Sequence, residues 1–192
     1  MIRWILRKGI ERFEREWGYD AGYMHDVIAA SPRAAWLFSR ATALGRFRRD
    51  IPLDAWCAAG ITAVRSEDCG PCTQLAVAMA ERAGVDPAVL RAVLAGQPDA
   101  MPPDVALVWR FTLATLTHEP EADGYRDAIV QRWGKRALVS LAFAITAARM
   151  YPTVKYALGH GKACVRVVVG GAPVTFEHGR PAAPADAVVR TA

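Results

Sequence analysis

Apolar residues recur at helical spacing along most of this 192-residue chain, and this periodicity limits the possible folds more than any other feature. Glycines and prolines divide the pattern into segments. Helices are expected over residues 2–17, 23–28, 32–44, from Pro52 to the mid-sixties, about 71–82, 87–95, 105–117, 125–133 and 135–150. Pro152 is expected to limit the last of them. The sequence therefore predicts an all-α bundle.

The residue pattern changes after Gly161, where the helical periodicity ends. The stretch CVRVVVGGAPVTF is β-branched and carries the turn signal Gly170-Gly171, which predicts a short hairpin. The last stretch, RPAAPADAVVRTA, is rich in proline and alanine and is expected to be disordered. Three parts follow: an amphipathic extension over 1–30, a helical domain over 31–161, and a hairpin with its tail over 162–192.

Charge and hydropathy narrow the function classes. The formal net charge is +5, but the densest basic cluster, GRFRRD, is short and ends on an acid, which argues against nucleic-acid binding. Basic residues interrupt the first apolar segment, so this segment lacks the continuous apolar region of a secretory signal. The longest charge-free apolar run, 137–148, is shorter than the roughly 20 residues of a membrane span. A cytoplasmic protein is expected. Four cysteines in that reducing compartment favour catalytic, ligating or buried roles over structural disulfides.

The stretch SEDCGPCTQL places two thiols three residues apart. This spacing puts Cys69 and Cys72 on one face of a helix's first turn, where Pro71 is well suited. Unpaired N–H groups and the helix dipole favour a thiolate there, and a second cysteine within reach can resolve an adduct formed by the first. Glu67 and Asp68 disfavour that thiolate, but either is a candidate base.

Two other interpretations of the CxxC pair stay open: a structural pair, or half of a metal site. Zinc needs about four ligands, and Cys57, Cys69 and Cys72 supply three. Cys57 lies on an apolar stripe and Cys164 among valines, so both are expected to be buried and structural. The histidines, His25, His118, His160 and His178, lie in four separate segments and are expected at surfaces or helix ends. No metal or cofactor is expected.

The order of segments around the dithiol resembles a known family. A helix leads into the CxxC turn, the next helix ends in Ala80-x-x-x-Gly84, and a short helix precedes the run WRFTLATLT. The later stretch YRDAIVQRWGKRALVSLAFAITAARM is similar to closing helices. Over about residues 30–160 the chain resembles the carboxymuconolactone decarboxylase and AhpD-like superfamily.

This resemblance implies an all-α fold that assembles as trimers or hexamers. For members that carry the CxxC, it implies alkylhydroperoxidase or disulfide-reductase activity, in which Cys72 attacks the peroxide and Cys69 resolves the adduct. Peroxidase members carry histidines where this chain has Pro71 and Ala76, and a glutamate where it has Cys57. The family's proton relay is therefore missing, and Glu67 or Asp68 is the hypothetical substitute.

These observations predict a cytoplasmic, homo-oligomeric thiol oxidoreductase. Its substrate would be a hydroperoxide or a disulfide, and a thiol or disulfide would be its electron partner. It would use neither flavin, haem nor metal. The alternative is a non-catalytic helical oligomer of the same scaffold that acts as an interaction or sensory module.

Overall fold

The computed structural model of the protein describes residues 2–161 and 166–175. The helices are α1 (Ile2–Trp17), α2 (Gly22–Ala30), α3 (Pro32–Thr42), α4 (Leu53–Arg65), α5 (Gly70–Arg82), α6 (Pro87–Ala95), α7 (Pro103–Thr117) and α8 (Glu121–Ala157), with 3-10 turns at Ala43–Arg46 and Pro98–Ala100. Strands β1 (Arg166–Val169) and β2 (Ala172–Thr175) form the only sheet among these residues. The predicted all-α class and the hairpin are confirmed. The tail expected to be disordered lies outside the described residues.

Helix α4 lies at the centre because it is buried on nearly all sides. Ala55, Ala59 and Ala63, spaced four apart, are fully buried against side chains of α7 and α8. On another face, Cys57 and Ile61 pack into a second cluster with α5, α6, α7 and β1. Small side chains let the neighbouring helices approach closely, so α4 joins the two halves of the core.

Helix α8 departs from the prediction at its C-terminal end. Its backbone breaks at Gly134, where φ is 83° and ψ 171°, as the sequence predicts. The expectation that Pro152 limits the helix is wrong, since helical structure continues to Ala157. Pro152 and Lys155 are buried, and Val154 packs against Tyr19 and its neighbours. This tertiary packing offsets the backbone hydrogen bond that a proline removes.

The connection expected between residues 117 and 125, HEPEADG, is shorter in the structure, because α8 already begins at Glu121. Glu121 and Asp123 occupy the first turn of α8. Negative charge is favourable at that end of a helix, since the unpaired N–H groups carry partial positive charge. The acidic run therefore starts a helix.

The hairpin is attached to the bundle through α5. Gly170 and Gly171 both have positive φ, 57° and 75°, which a two-residue turn of this kind requires. Val167 and Val169 are fully buried against the bundle. The Gln74 side chain accepts from Val168 N at 2.7 Å and donates to Val168 O at 3.0 Å, so an α5 amide satisfies one edge of β1.

One described helix, α8, has the length and apolar composition to cross a membrane, with a mean hydropathy of 1.4 over its best 18-residue window. Core helices of soluble proteins meet the same test, and 39% of this window is buried within the protein. Contacts with α4 and α7 account for that burial. The absence of a membrane span stays a prediction.

Gly134→Ala should destabilise the protein, because the backbone at this position is one that only glycine adopts readily. We expect the free energy of unfolding to fall by about 1–3 kcal/mol in urea titrations. Gly124→Ala is the matched control, since Gly124 is a regular, open position of the same helix. It should raise stability by about 0.5–1 kcal/mol. Equal effects of the two changes would contradict this account.

Candidate active site around the Cys69–Cys72 disulfide

A tight turn joins α4 to α5 and carries the two cysteines. Ser66 ends α4, and its hydroxyl donates to the carbonyl of Ala63 at 2.7 Å. Asp68 then adopts a left-handed backbone, with φ of 52°, which reverses the chain. Aspartate tolerates this conformation better than most residues that carry a Cβ. The reversal places Cys69 directly before the first turn of α5.

The structure joins Cys69 and Cys72 in a disulfide, with their Cα atoms 5.3 Å apart. Cys69 is the N-cap residue of α5, and Cys72 lies in the first turn. Thr73 holds the cap in place, because its backbone N–H and its hydroxyl both donate to the Cys69 carbonyl, at 2.9 and 3.0 Å. The expected proximity of the two sulfurs at a helix start is confirmed.

Both cysteines lie beneath the surface. Cys69 is 0% exposed and Cys72 5% exposed, and they pack with Val64 and against Ala76 and Ala148. Of the two, Cys72 alone keeps some contact with solvent. Any reactant must therefore be slender enough to reach a nearly covered sulfur.

Tyr19, from the segment between α1 and α2, supplies a polar contact to Cys72. Its hydroxyl oxygen lies 3.7 Å from Cys72 Sγ. Lys155 Nζ, from α8, donates to the same hydroxyl at 3.2 Å and lies over the rings of Tyr19 and Tyr23, at 4.7 and 5.4 Å from their centroids. Lys155 is 2% exposed. The Tyr19 hydroxyl thus links α8 to the first turn of α5.

Burial keeps these phenols protonated. Desolvation raises the pKa of Tyr19 to about 12 and raises the pKa of Tyr23 even further. At neutral pH the Tyr19 hydroxyl therefore keeps its proton and can donate it in a hydrogen bond to the sulfur.

Tyr19 and Lys155 are absent from the site residues predicted from the sequence. They lie 53 and 83 residues from Cys72 along the chain, so no local spacing links them to the dithiol. The one sequence feature that could have indicated a buried role for Lys155 is its position as a single lysine in an apolar helical stretch. The proline before it suggested, wrongly, that the helix had already ended.

Glu67 and Asp68, the candidate bases, lie in the turn itself. The Glu67 carboxylate accepts from Arg149 Nε of α8 at 2.5 Å, which ties the turn to that helix. The backbone carbonyl of Asp68 accepts from the Tyr156 hydroxyl at 2.9 Å. Both residues are partly exposed. Their role as bases stays a prediction.

The other candidate residues lie apart from the disulfide. Cys57 faces the cluster formed with α5, α6 and α7, and burial raises the pKa of its thiol to about 11. His25 contacts Glu14 at 3.1 Å, His160 contacts Asp26 at 2.7 Å, and His118 ends α7. Cys164 and His178 lie outside the described residues. Residues 2–161 and 166–175 contain no cluster of three or more His, Cys, Asp or Glu side chains suited to a metal.

Compared with protein-family models, curated proteins and solved structures, the chain matches none. The resemblance noted from the sequence therefore stays a prediction.

Cys57 should resist alkylation in the native, reduced protein, because its thiol is buried and stays neutral near pH 8. Peptide mapping by mass spectrometry after iodoacetamide treatment should show Cys57 unmodified until denaturant is added. The denatured protein is the control, in which every thiol reacts. Rapid modification of Cys57 in the folded protein would contradict the core packing around α4.

Proposed function

We propose that this protein is a thiol oxidoreductase in which Cys69 and Cys72 alternate between dithiol and disulfide. The observation that carries the proposal is the joined pair of sulfurs at the start of α5, with a protonated phenol beside one of them. A hydrogen-bond donor beside a sulfur stabilises it more when the sulfur is anionic than when it belongs to a neutral disulfide.

The start of α5 favours negative charge on Cys72. The first N–H groups of a helix have no partner within it, and the aligned peptide dipoles add partial positive charge at this end. Both lower the cost of a thiolate, which is the reactive form of cysteine. Cys72 is also the more exposed of the two residues. These features support Cys72 as the attacking residue, the role that the family resemblance implies.

In the proposed reaction, a hydroperoxide oxidises the dithiol to the disulfide. The Cys72 thiolate attacks the terminal oxygen of a hydroperoxide and the O–O bond breaks. The alkoxide takes up the proton that the Cys72 thiol lost on ionisation and leaves as an alcohol. Cys72 is now a sulfenic acid. The Cys69 thiol attacks that sulfur, the S–S bond forms and water leaves. Two electrons have passed from the dithiol to the peroxide, and a reducing thiol returns them by exchange through the disulfide.

Burial favours a small hydroperoxide over the disulfide of a folded protein as the substrate. Thiol–disulfide exchange needs the two reacting proteins to bring their sulfurs into contact. A Cys72 that is 5% exposed does not present its sulfur to another protein surface. The same restriction applies to the thiol that restores the dithiol.

Replacement of either cysteine should abolish catalysis. With tert-butyl hydroperoxide and a reducing thiol, we expect Cys69→Ser and Cys72→Ser to consume peroxide at the uncatalysed rate, while Cys57→Ala keeps the wild-type rate. The Cys69→Ser variant should accumulate a sulfenic acid on Cys72, detectable by dimedone labelling and mass spectrometry. Thiols that stay inert towards peroxide in the wild type would instead support the non-catalytic helical oligomer.

The base role of Glu67 and Asp68 has its own test. If either accepts the thiol proton, the double variant Glu67→Gln/Asp68→Asn should lower the peroxide rate by about a hundredfold at neutral pH. Arg149→Met is the matched control, because it breaks the same ion pair and leaves both carboxylates in place. An unchanged rate and pH profile in the double variant would exclude the role.

A further inference from the structure

A chain of hydrogen bonds runs from α8 to the active-site sulfur. Lys155 Nζ donates to the Tyr19 hydroxyl at 3.2 Å, and that hydroxyl lies 3.7 Å from Cys72 Sγ. All three residues are buried. The 3.7 Å between the Tyr19 hydroxyl oxygen and Cys72 Sγ fits a hydrogen bond, because sulfur is a larger atom than oxygen and its hydrogen bonds are longer.

The chemistry of the lysine determines which group donates in each of these hydrogen bonds. An ammonium group has donors and no acceptor, so the phenol oxygen accepts the bond from Lys155. The phenol's own proton is then directed elsewhere, and Cys72 Sγ lies within its reach. Because burial keeps Tyr19 protonated, this proton is present at neutral pH.

We propose that Tyr19 stabilises the thiolate of Cys72 by donating a hydrogen bond to its sulfur, and that Lys155 is the positioning residue which orients Tyr19. The pair makes Cys72 the sulfur that bears the charge when the disulfide is opened. This inference rests on the proposed function for the dithiol cycle and names the groups that support it.

The reductive step shows where the pair acts. When a dithiol such as dithiothreitol opens the disulfide, the Cys69–Cys72 bond breaks and the reagent is oxidised to its own disulfide. Of the two protons that the reagent releases, one goes to Cys69 and the other to solvent. Cys72 remains a thiolate. A hydrogen bond to an ionised group is stronger than one to a neutral disulfide sulfur, so Tyr19 favours the reduced form.

Several other titratable groups lie near the hydrogen bonds that link Lys155, Tyr19 and Cys72. They would contribute to any pH dependence of the Cys72 thiolate. Tyr23, from α2, and Tyr151, from α8, lie close enough to influence the titration of Tyr19, as does Asp20 beside it in sequence. Glu67 and Asp68 lie in the turn that precedes Cys69. The test therefore compares variants at a single pH.

Tyr19→Phe removes the hydroxyl and keeps the ring, which also packs edge-on against Phe13. In the reduced full-length chain at about pH 8, we expect it to lower the alkylation rate of Cys72, mapped by mass spectrometry, by about tenfold. At a fixed ratio of reduced to oxidised dithiothreitol, the proportion of reduced to oxidised protein should fall by a similar factor. This equilibrium does not depend on access of an alkylating reagent.

Two lysine variants test the positioning role. Lys155→Met keeps the length of the side chain without its donors and should reproduce the effect of Tyr19→Phe. Lys155→Arg restores a cationic donor and should recover at least part of the reduced fraction. If Lys155→Met proves unfolded by circular dichroism, the arginine variant and Tyr19→Phe still decide the matter, because both keep the buried volume largely filled.

Tyr156→Phe is the matched control. It removes a phenol hydroxyl that binds the carbonyl of Asp68, one residue before the disulfide, and does not remove the group at Cys72. We expect it to leave both measurements within about twofold, the range expected when no bond to an ionised group is lost.

An unchanged dithiothreitol equilibrium in Tyr19→Phe would overturn the inference. So would an equal shift in Tyr156→Phe, which would indicate a general loosening of the turn. Failure of the proposed function is distinguishable, since it appears as absence of peroxide turnover in the wild type. That outcome leaves the effect of Tyr19 on the sulfur measurable.

Discussion

The burial of α4 on nearly every side is the constraint on which the rest of the structure depends. A helix can be enclosed in this way only if its side chains are small on the faces where neighbours approach, and Ala55, Ala59 and Ala63 meet that condition. Two core clusters meet on this helix. Because both fix its position, the turn that follows has little freedom. The geometry of the disulfide is thus set by core packing beneath it.

The N-terminal helices are held against this core by specific contacts. Glu16 of α1 pairs with Arg82 of α5 at 2.6 Å, and the same guanidinium lies 3.9 Å from the centre of the Trp17 ring. Glu14 accepts from the backbone N–H of Ala21 at 3.0 Å, which shapes the segment between α1 and α2. These contacts hold Tyr19 over Cys72. A part of the chain outside the family resemblance therefore supplies a group to the candidate site.

Local patterns predicted most of the helical fold and only part of the site. Gly134 interrupts α8 and Gly170-Gly171 forms the hairpin turn, because breaks and turns depend on the residues at those positions. The proximity of Cys69 and Cys72 follows from their spacing. The approach of Tyr19 to Cys72 depends on how α1, α2 and α8 pack together, which no local pattern specifies. Pro152 shows the same limit, since tertiary contacts outweighed its propensity.

The buried lysine and the oxidation state of the dithiol are connected through electrostatics. Removing an ammonium group from water costs several kcal/mol, which nearby dipoles, aromatic faces and opposite charges offset. A disulfide is neutral and therefore offsets little of this desolvation cost. A thiolate at Cys72 offsets more of this cost, because opposite charges attract strongly where water is excluded. The Tyr19 hydroxyl links that thiolate to Lys155. In the proposed cycle the buried cation therefore favours the reduced state. Oxidation by a peroxide and reduction by a thiol then differ less in free energy than they would at a disulfide lined only by apolar groups.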